Sequence, residues 1–191
     1  MSQGAGNQSL VRRVSQSGLV WLFVTFIVVI VDQWTKLWAV DALSDGSIIE
    51  VMPHFDFRLA YNYGAAFSFL ADAGGWQRYG LSVFAVVISL VLLVWMYRIK
   101  ASEKWLSIAL SLVLSGAIGN AYDRISYGYV VDFIDWYWEK SGYHWPAFNI
   151  ADSAICVGAV MLIIDSLFFQ QDSEEETLKG NTAKGSRVNE R

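Results

Sequence analysis

Acidic and amide side chains recur beside apolar segments of this 191-residue chain. Asn120 and Asp123 are three residues apart, and so are Asn149 and Asp152. Residues three apart are neighbours on a helix, so each pair would present an amide beside a carboxyl group. Asp132 lies between the two pairs, directly after two valines. Because polar groups at membrane depth are costly, such residues beside apolar segments indicate a functional site.

Two carboxyl groups at one site could hydrolyse an amide bond without a metal ion. Repulsion between like charges raises one pKa, so one aspartate acts as an acid while the other acts as a base. The two groups would then titrate as a pair. A structural alternative stays open, since Asp123 beside Arg124 could simply cap a helix. Asp32 and Lys36, four residues apart, could likewise be only an ion pair at a helix end.

Other catalytic chemistries fit the sequence poorly. His54 and His144 are far apart and lack the spacing of a zinc site. Ser68 and Ser153 have no histidine near them in sequence. Cys156 is the only cysteine, which excludes an intrachain disulfide, and its apolar setting predicts an inert, buried thiol. We therefore expect neither a metal nor a cofactor.

Four apolar blocks must position the polar residues. The chain is 54% hydrophobic and 17% charged, against about 25% charged in ordinary soluble domains. Blocks that meet the bilayer requirement of roughly 20 apolar residues lie at about 18–40, 76–97, 105–123 and 150–169. With four crossings, blocks one and three end on the face where blocks two and four begin. The polar residues therefore share one face of the membrane, and we predict an all-α membrane protein of four transmembrane helices.

The segments outside the blocks are polar or alternate in character. Residues 1–17 and 170–191 are predicted to be a polar terminal segment and a solvated tail. Between blocks one and two, hydrophobic residues from Phe55 to Tyr61 alternate with other residues, which is the period of a half-buried strand. We therefore expect a small β-containing layer on the membrane surface.

The third block carries a face of small residues. Ser107, Ser111, Ser115 and Gly119 recur every four residues, so they share one face of a helix. In lipid, small residues allow a second helix to approach closely. The same step leads next to Asp123, so the predicted packing face runs directly into an acidic group.

The basic residues indicate an orientation. With a cytoplasmic N-terminus, nine of the 14 lysines and arginines would face the cytoplasm, although the two sides tie when the tail is left out. A cleavable signal peptide is the alternative for the first block, because Arg12 and Arg13 precede it, but no small-x-small cleavage site follows. The sequence has no stripe of basic residues of the kind that would indicate nucleic-acid binding.

Over about residues 18–169 the chain resembles bacterial lipoprotein signal peptidase, also called signal peptidase II. Five segments carry the resemblance, in this order: 32–36 (DQWTK), 62–68 (NYGAAFS), 116–124 (GAIGNAYDR), 130–133 (VVDF) and 148–152 (FNIAD). Five motifs in one order are far more specific than any one of them. The tail from residue 170 onward lies outside the resemblance.

The resemblance implies an aspartic endopeptidase that removes the signal peptide of prolipoproteins, just before a cysteine that carries diacylglycerol. It implies Asp132 and Asp152 as the catalytic pair, with Asp32 and Lys36 as structural residues nearby. Six further residues would bind substrate or maintain the geometry of the site: Asn62, Gly64, Asn120, Asp123, Arg124 and Asn149.

The resemblance also implies a location and partners. The protein would be a multi-pass protein of the bacterial inner membrane, with both termini in the cytoplasm and the active site at the extracytoplasmic face. Its partners would be lipid-modified prolipoproteins and membrane lipids, with no nucleic acid, and we expect a monomer. Residues 64–70, together with the predicted strand, could lie over the substrate peptide as a clamp.

Two other functions must be weighed against peptidase activity. A carboxylate cluster in a membrane could relay protons in a small proton-coupled transporter. A transporter needs access from both faces, however, and only Asp165 would serve the other half; no internal repeat is visible either. An inactive scaffold would leave the polar motifs without a role, so the sequence favours the peptidase.

Overall fold

The computed structural model describes residues 13–64, 75–138 and 142–169. A 3₁₀ turn (Gly18–Trp21) leads into helix α1 (Leu22–Leu43). Helices α2 (Trp76–Arg98), α3 (Lys104–Ser126) and α4 (Ile150–Ile164) follow, and α4 continues as a π-helical turn (Asp165–Phe169). All four helical segments are long and apolar enough to cross a membrane. The predicted fold class, four transmembrane helices with a small sheet, is confirmed.

Helix α3 is the central helix. Buried residues make up 56% of its most apolar stretch, whereas the corresponding share in the other three segments is 17% to 22%. Ser107, Ser111 and Ser115 are almost completely buried, as the packing face predicted. The Ser111 hydroxyl donates to the carbonyl of Trp21 at 3.1 Å, and the Thr25 hydroxyl donates to the Ser111 carbonyl at 3.0 Å. These direct hydrogen bonds join the start of α1 to α3 and give the buried hydroxyl groups partners without water.

Two glycines bring α3 and α4 into backbone contact. A Cβ added to Gly116 would collide with the carbonyl oxygen of Ala151, and one added to Gly158 would lie 2.7 Å from the carbonyl oxygen of Ala109. Small residues at these positions allow the two helix axes to approach closely. As a result, the N-terminus of α4 lies directly against the polar end of α3.

Four antiparallel strands form a sheet in chain order: β1 (Ile48–Met52), β2 (Phe55–Asn62), β3 (Val130–Trp138) and β4 (Tyr143–His144). The alternation from Phe55 to Tyr61 correctly predicted β2. The sequence analysis did not predict β3, and Asp132 lies in this strand, opposite Ala60. Pairing of Val131 and Asp132 with Tyr61 and Ala60 gives the Asp132 side chain a fixed direction, and the register shifts directly after this pair.

Aromatic residues attach the sheet to the end of α1. The ring of Trp38 lies 5.3 Å from that of Phe57 and 6.3 Å from that of Phe133, in edge-to-face geometry in both cases. Ala39 and Leu43 of α1 are buried in the same cluster. Because Phe133 is adjacent to Asp132, this packing sets the height of β3 above the helices.

Several predicted details need revision or lie outside the described residues. Helix α1 ends at Leu43 and α3 at Ser126, each three residues beyond the predicted boundary. Cys156 is exposed at the surface of the protein, so the prediction of a buried thiol was wrong. The helical periodicity of α4 places this residue on the face that points away from α3. Residues 1–12, the 170–191 tail and the 65–70 part of the expected clamp are not among the described residues.

Candidate active site

Two asparagines link the carboxyl groups of Asp132 and Asp152. The Nδ2 of Asn149 donates to Asp132 Oδ1 at 2.7 Å, and the Nδ2 of Asn120 donates to Asp152 Oδ1 at 2.7 Å. Asn149 Nδ2 also lies 3.3 Å from Asn120 Oδ1. A continuous series of hydrogen bonds therefore joins the two aspartates, which the sequence placed 20 positions apart.

The start of α4 fixes the position of Asp152. The Oδ1 of Asn149 accepts from the backbone N–H of Asp152 at 2.9 Å, and Asp152 Oδ2 accepts from the backbone N–H of Asn149 at 3.2 Å. This reciprocal arrangement is a capping box, and it requires the three-residue spacing seen in the sequence. Capping and chemistry are thus not alternatives here, because Asp152 caps α4 with one oxygen and meets Asn120 with the other.

Asp132 is buried, with 2% of its side chain exposed. Its Oδ2 accepts from Asn62 Nδ2 at 3.1 Å, while Asn62 Oδ1 accepts from the backbone N–H of Gly64 at 3.0 Å. Burial, followed by the nearby charge of Asp152, raises the pKa of Asp132 to about 7, although the two amide donors oppose the shift. Asp132 can therefore carry a proton near neutral pH.

Lys36 lies at the centre of a buried ionic network. Its Nζ is 2.9 Å from Asp32 Oδ2 and 2.9 Å from Asp123 Oδ2, and it donates to Asn120 Oδ1 at 3.0 Å. The three charged side chains are at most 3% exposed. The ion pair expected between Asp32 and Lys36 is present, and it belongs to a larger network that joins α1 to α3 and reaches the asparagine that contacts Asp152.

The network also holds the backbone next to each catalytic candidate. Asp32 Oδ1 accepts from the backbone N–H of Ala151 at 2.8 Å, and Asp123 Oδ2 accepts from the backbone N–H of Val131 at 3.3 Å. Ala151 precedes Asp152, and Val131 precedes Asp132. Asp123 therefore does more than cap α3: together with Asp32 it positions the two chain segments that carry the pair.

Gln33 belongs to the same network, although the sequence analysis did not single it out. Its Nε2 donates to Asp123 Oδ1 at 2.9 Å and approaches Asp32 Oδ2 at 3.2 Å. The sequence did contain a signal for Gln33, because it is an uncharged polar residue in an apolar helix and lies directly beside Asp32. Gly119, predicted as part of the packing face of small residues, also borders the network, because a Cβ there would lie 2.6 Å from Asp32 Oδ2.

Arg124 connects α3 to the segment after β2. Its Nη2 donates to the carbonyl of Gly64 at 2.8 Å, and its Nη1 donates to the carbonyl of Asn120 at 3.3 Å. Among the described residues, its buried Nε has no hydrogen-bond partner. Arg124 thus holds Gly64 beside Asn62, and it keeps one donor unused near the carboxyl groups.

Another buried carboxyl group, that of Asp135, lies in the sheet three residues after Asp132. Asp135 is 1% exposed and is 2.8 Å from His144 Nδ1 and 3.3 Å from Arg58 Nη2. His144 lies in β4. Within residues 13–64, 75–138 and 142–169, no group of three His, Cys, Asp or Glu side chains could hold a metal ion. The expected absence of a metal stays a prediction.

Comparison with known proteins agrees with the motifs. The family model described as "Signal peptidase (SPase) II" matches residues 24–168. A lipoprotein signal peptidase of Pseudomonas putida is 54% identical over 158 residues, which cover 82% of this chain and 91% of that protein. One from Alteromonas mediterranea is 45% identical and covers 93% of this chain and 96% of its own.

Solved structures agree as well. A structure titled "Bacterial membrane enzyme structure by the in meso method at 1.9 A resolution" aligns with a TM-score of 0.68 and 31% identity, covering 81% of this chain and 97% of that one. A second, titled in the same words but at 2.3 Å, aligns with a TM-score of 0.67 and 33% identity, covering 78% and 87%.

Proposed function

Because the chain belongs to the signal peptidase II family, we propose that it removes signal peptides from lipid-modified prolipoproteins with Asp132 and Asp152 as catalytic residues. It is a multi-pass bacterial membrane protease. One observation carries the assignment of the site: Asn120 and Asn149 join the two carboxyl groups by hydrogen bonds of 2.7 Å at each end. The transporter considered from the sequence is not supported by the family match.

The proposed reaction needs one proton on the pair. Asp132, whose pKa lies at about 7, donates its proton to the scissile carbonyl oxygen, while Asp152 accepts a proton from the attacking water. The water oxygen bonds to the carbonyl carbon and gives a gem-diol. Asp152 then passes its proton to the amide nitrogen, the C–N bond breaks, and one gem-diol hydroxyl returns its proton to Asp132. The pair ends in its starting state.

The residues around the pair would position the substrate and the catalytic groups. We assign Asn62, Asn120 and Asn149 to the geometry of the carboxyl groups, which each of them contacts. The unused Nε of Arg124, beside the carbonyl of Gly64, is a donor suited to a peptide carbonyl. Asp32 and Asp123 act at one remove, through the backbone N–H groups from which they accept, and Lys36 acts through these two carboxylates and Asn120.

The depth of the site suits a substrate anchored in lipid. Asp152 is the third residue of α4, so it lies only about 3 Å along the axis from the helix start. A diacylglyceryl group would place the scissile bond at this depth. Each CH₂ of its acyl chains that is buried in lipid contributes roughly 0.8 kcal/mol of binding free energy. Binding energy of this kind can raise turnover as well as affinity when it positions the reacting bond.

The orientation and assembly state form part of the proposal. Both termini would lie in the cytoplasm and the site at the extracytoplasmic face, since nine of the 14 lysines and arginines then face inward. A monomer suffices, because a single chain supplies both aspartates and every hydrogen bond described around them.

The test is cleavage of a synthetic lipidated precursor by purified protein in detergent. Asp132→Asn and Asp152→Asn should each lower kcat by at least about 10²–10⁴-fold, because an amide cannot take part in proton sharing. Asp45→Asn, at an exposed position in the loop before β1, is the matched control and should retain activity. Substantial turnover by either active-site variant would remove the assignment of the pair.

The same assay tests the substrate class. The wild-type protein should show a much higher kcat/KM for the lipidated precursor than for the same peptide without lipid, in one detergent. Equal values would mean that the acyl chains do not position the substrate.

A further inference from the structure

A cavity of about 340 Å³ lies where α2 begins, beside the end of α3. Its lining includes Tyr63, Gln77, Arg78, Tyr79, Tyr127 and Gly128. The volume is at the lower end of the range of small-ligand pockets. The asparagines that contact the aspartate pair are Asn62, Asn120 and Asn149, and none of them is among the residues that line this cavity.

Arg78 gives the cavity a fixed positive charge. Its Nη2 donates to the carbonyl of Ile125 at 2.7 Å, and its guanidinium carbon lies 5.4 Å from the centre of the Tyr79 ring. Within the described part of the chain, Arg78 forms no ion pair, and its buried Nε has no hydrogen-bond partner. A guanidinium held by one carbonyl keeps donors in a planar arrangement that matches a phosphate or a carboxylate.

Gly128 leaves room for this guanidinium. Its φ of 91° lies in the left-handed region, and a Cβ there would be 3.2 Å from Arg78 Nη1. Any side chain at this position would therefore be strained and would press on the arginine. The turn after α3 thus brings Tyr127 to the cavity without covering Arg78.

The depth of the cavity points to a lipid headgroup. Trp76 and Tyr79, at the start of α2, are 60% and 68% exposed at the end of an apolar helix, where aromatic residues mark the boundary between membrane and water. We propose that the cavity binds the phosphate of an anionic phospholipid, with Arg78 as its charge partner and the tyrosine hydroxyls as additional donors. Tyr63 lies between Asn62 and Gly64, so the bound lipid borders the segment that contacts Asp132.

The test measures binding to the full chain in a neutral detergent. Phosphatidylglycerol, phosphatidylcholine and soluble glycerol 3-phosphate are titrated, with thermal unfolding and native mass spectrometry as readouts. Phosphatidylglycerol should bind and raise Tm, and Arg78→Gln should weaken that binding at least about tenfold. Arg98→Gln, an exposed arginine at the other end of the same helix, is the matched control and should bind as the wild type does.

A second variant keeps the test decisive if Arg78→Gln folds poorly. Tyr127→Phe removes only a hydroxyl and should weaken phosphatidylglycerol severalfold. Equal binding of phosphatidylcholine and phosphatidylglycerol, or wild-type affinity in both cavity variants, would overturn the proposal. Glycerol 3-phosphate that binds as tightly as the lipid would overturn its lipid part, because the cavity would then take a free phosphate ester.

Discussion

Gly119→Ala adds a single methyl group at the most crowded point of the ionic network. The new Cβ would lie 2.6 Å from Asp32 Oδ2 and 3.3 Å from the Cβ of Ala151. Asp32 has little freedom to move, because its two oxygens are held by Lys36 at 2.9 Å and by the Ala151 N–H at 2.8 Å. The substitution must therefore move the aspartate away from a partner or push α4 away from α3.

The magnitude follows from these two contacts. Overpacking of a close-fitting site costs about 1–3 kcal/mol, and the loss of one hydrogen bond to a charged group costs about 1.5–3 kcal/mol. Alanine recovers up to about 1 kcal/mol through its helix propensity. We expect a net loss of about 2–5 kcal/mol in the free energy of unfolding. Turnover should also fall, because Ala151 precedes Asp152 in α4.

The assay compares Gly119→Ala with Gly80→Ala in denaturant unfolding and in precursor cleavage. A Cβ at Gly80 would meet only the ring of Trp76, at 3.3 Å, and that ring is 60% exposed and free to move. Gly80→Ala should therefore be neutral or slightly stabilising. A Gly119→Ala protein with wild-type stability and turnover would refute the view that Asp32 is fixed and that its position matters for catalysis.

Four further predictions concern charge and orientation. Burial raises the pKa of Asp132 from 3.8 to about 7, so ionisation of this residue destabilises the folded state. The free energy of unfolding should therefore fall by up to about 4 kcal/mol as the pH rises from about 4 through 7. Unfolding measured across this pH range should show no such decrease in Asp132→Asn. The kcat/KM of the wild type should fall over the upper part of this window, as the pair loses its shared proton; a profile that rises there would contradict the acid role. Lys36→Met should lower the free energy of unfolding by about 3–5 kcal/mol, because two buried carboxylates lose their cation. Lys104→Met, at an exposed site, should change it by less than about 0.5 kcal/mol. Similar values for the two variants would count against the network. In a cysteine-free background, an impermeant thiol reagent applied to intact cells should label Ser47→Cys but not Ser102→Cys, and the reverse pattern would invert the orientation.

Much of the fold could be predicted because lipid imposes a simple rule on sequence. Backbone groups must be paired inside the bilayer, so long apolar blocks have to be helices, and the blocks around 76–97 and 150–169 were recognised on that basis. The face of Ser107, Ser111 and Ser115 followed from helical spacing alone. Strand β3 was missed because its first four residues are all buried, so the alternation that revealed β2 is absent from it.

The sequence predicted which residues form the candidate site, but it did not predict which of them contact each other. Spacing could place Asn149 next to Asp152, since both lie at one helix start, but it could not place Asn149 next to Asp132. That contact depends on the sheet, whose position is set by the packing of Trp38 against Phe57 and Phe133. Gln33 was overlooked for a similar reason: its partner Asp123 comes within reach only when α1 lies against α3.

The distribution of the aspartates along the chain has a consequence for biosynthesis. Asp152 lies on α4, which leaves the ribosome after α1, α2 and α3, whereas its hydrogen-bond partners come from α3 and from the segment just before α4. A nascent chain that has inserted only its first three helices holds Asp132 without its partner. On the proposed mechanism, a chain that has not yet inserted α4 lacks one member of the pair, so it should be unable to cleave neighbouring proteins in the membrane.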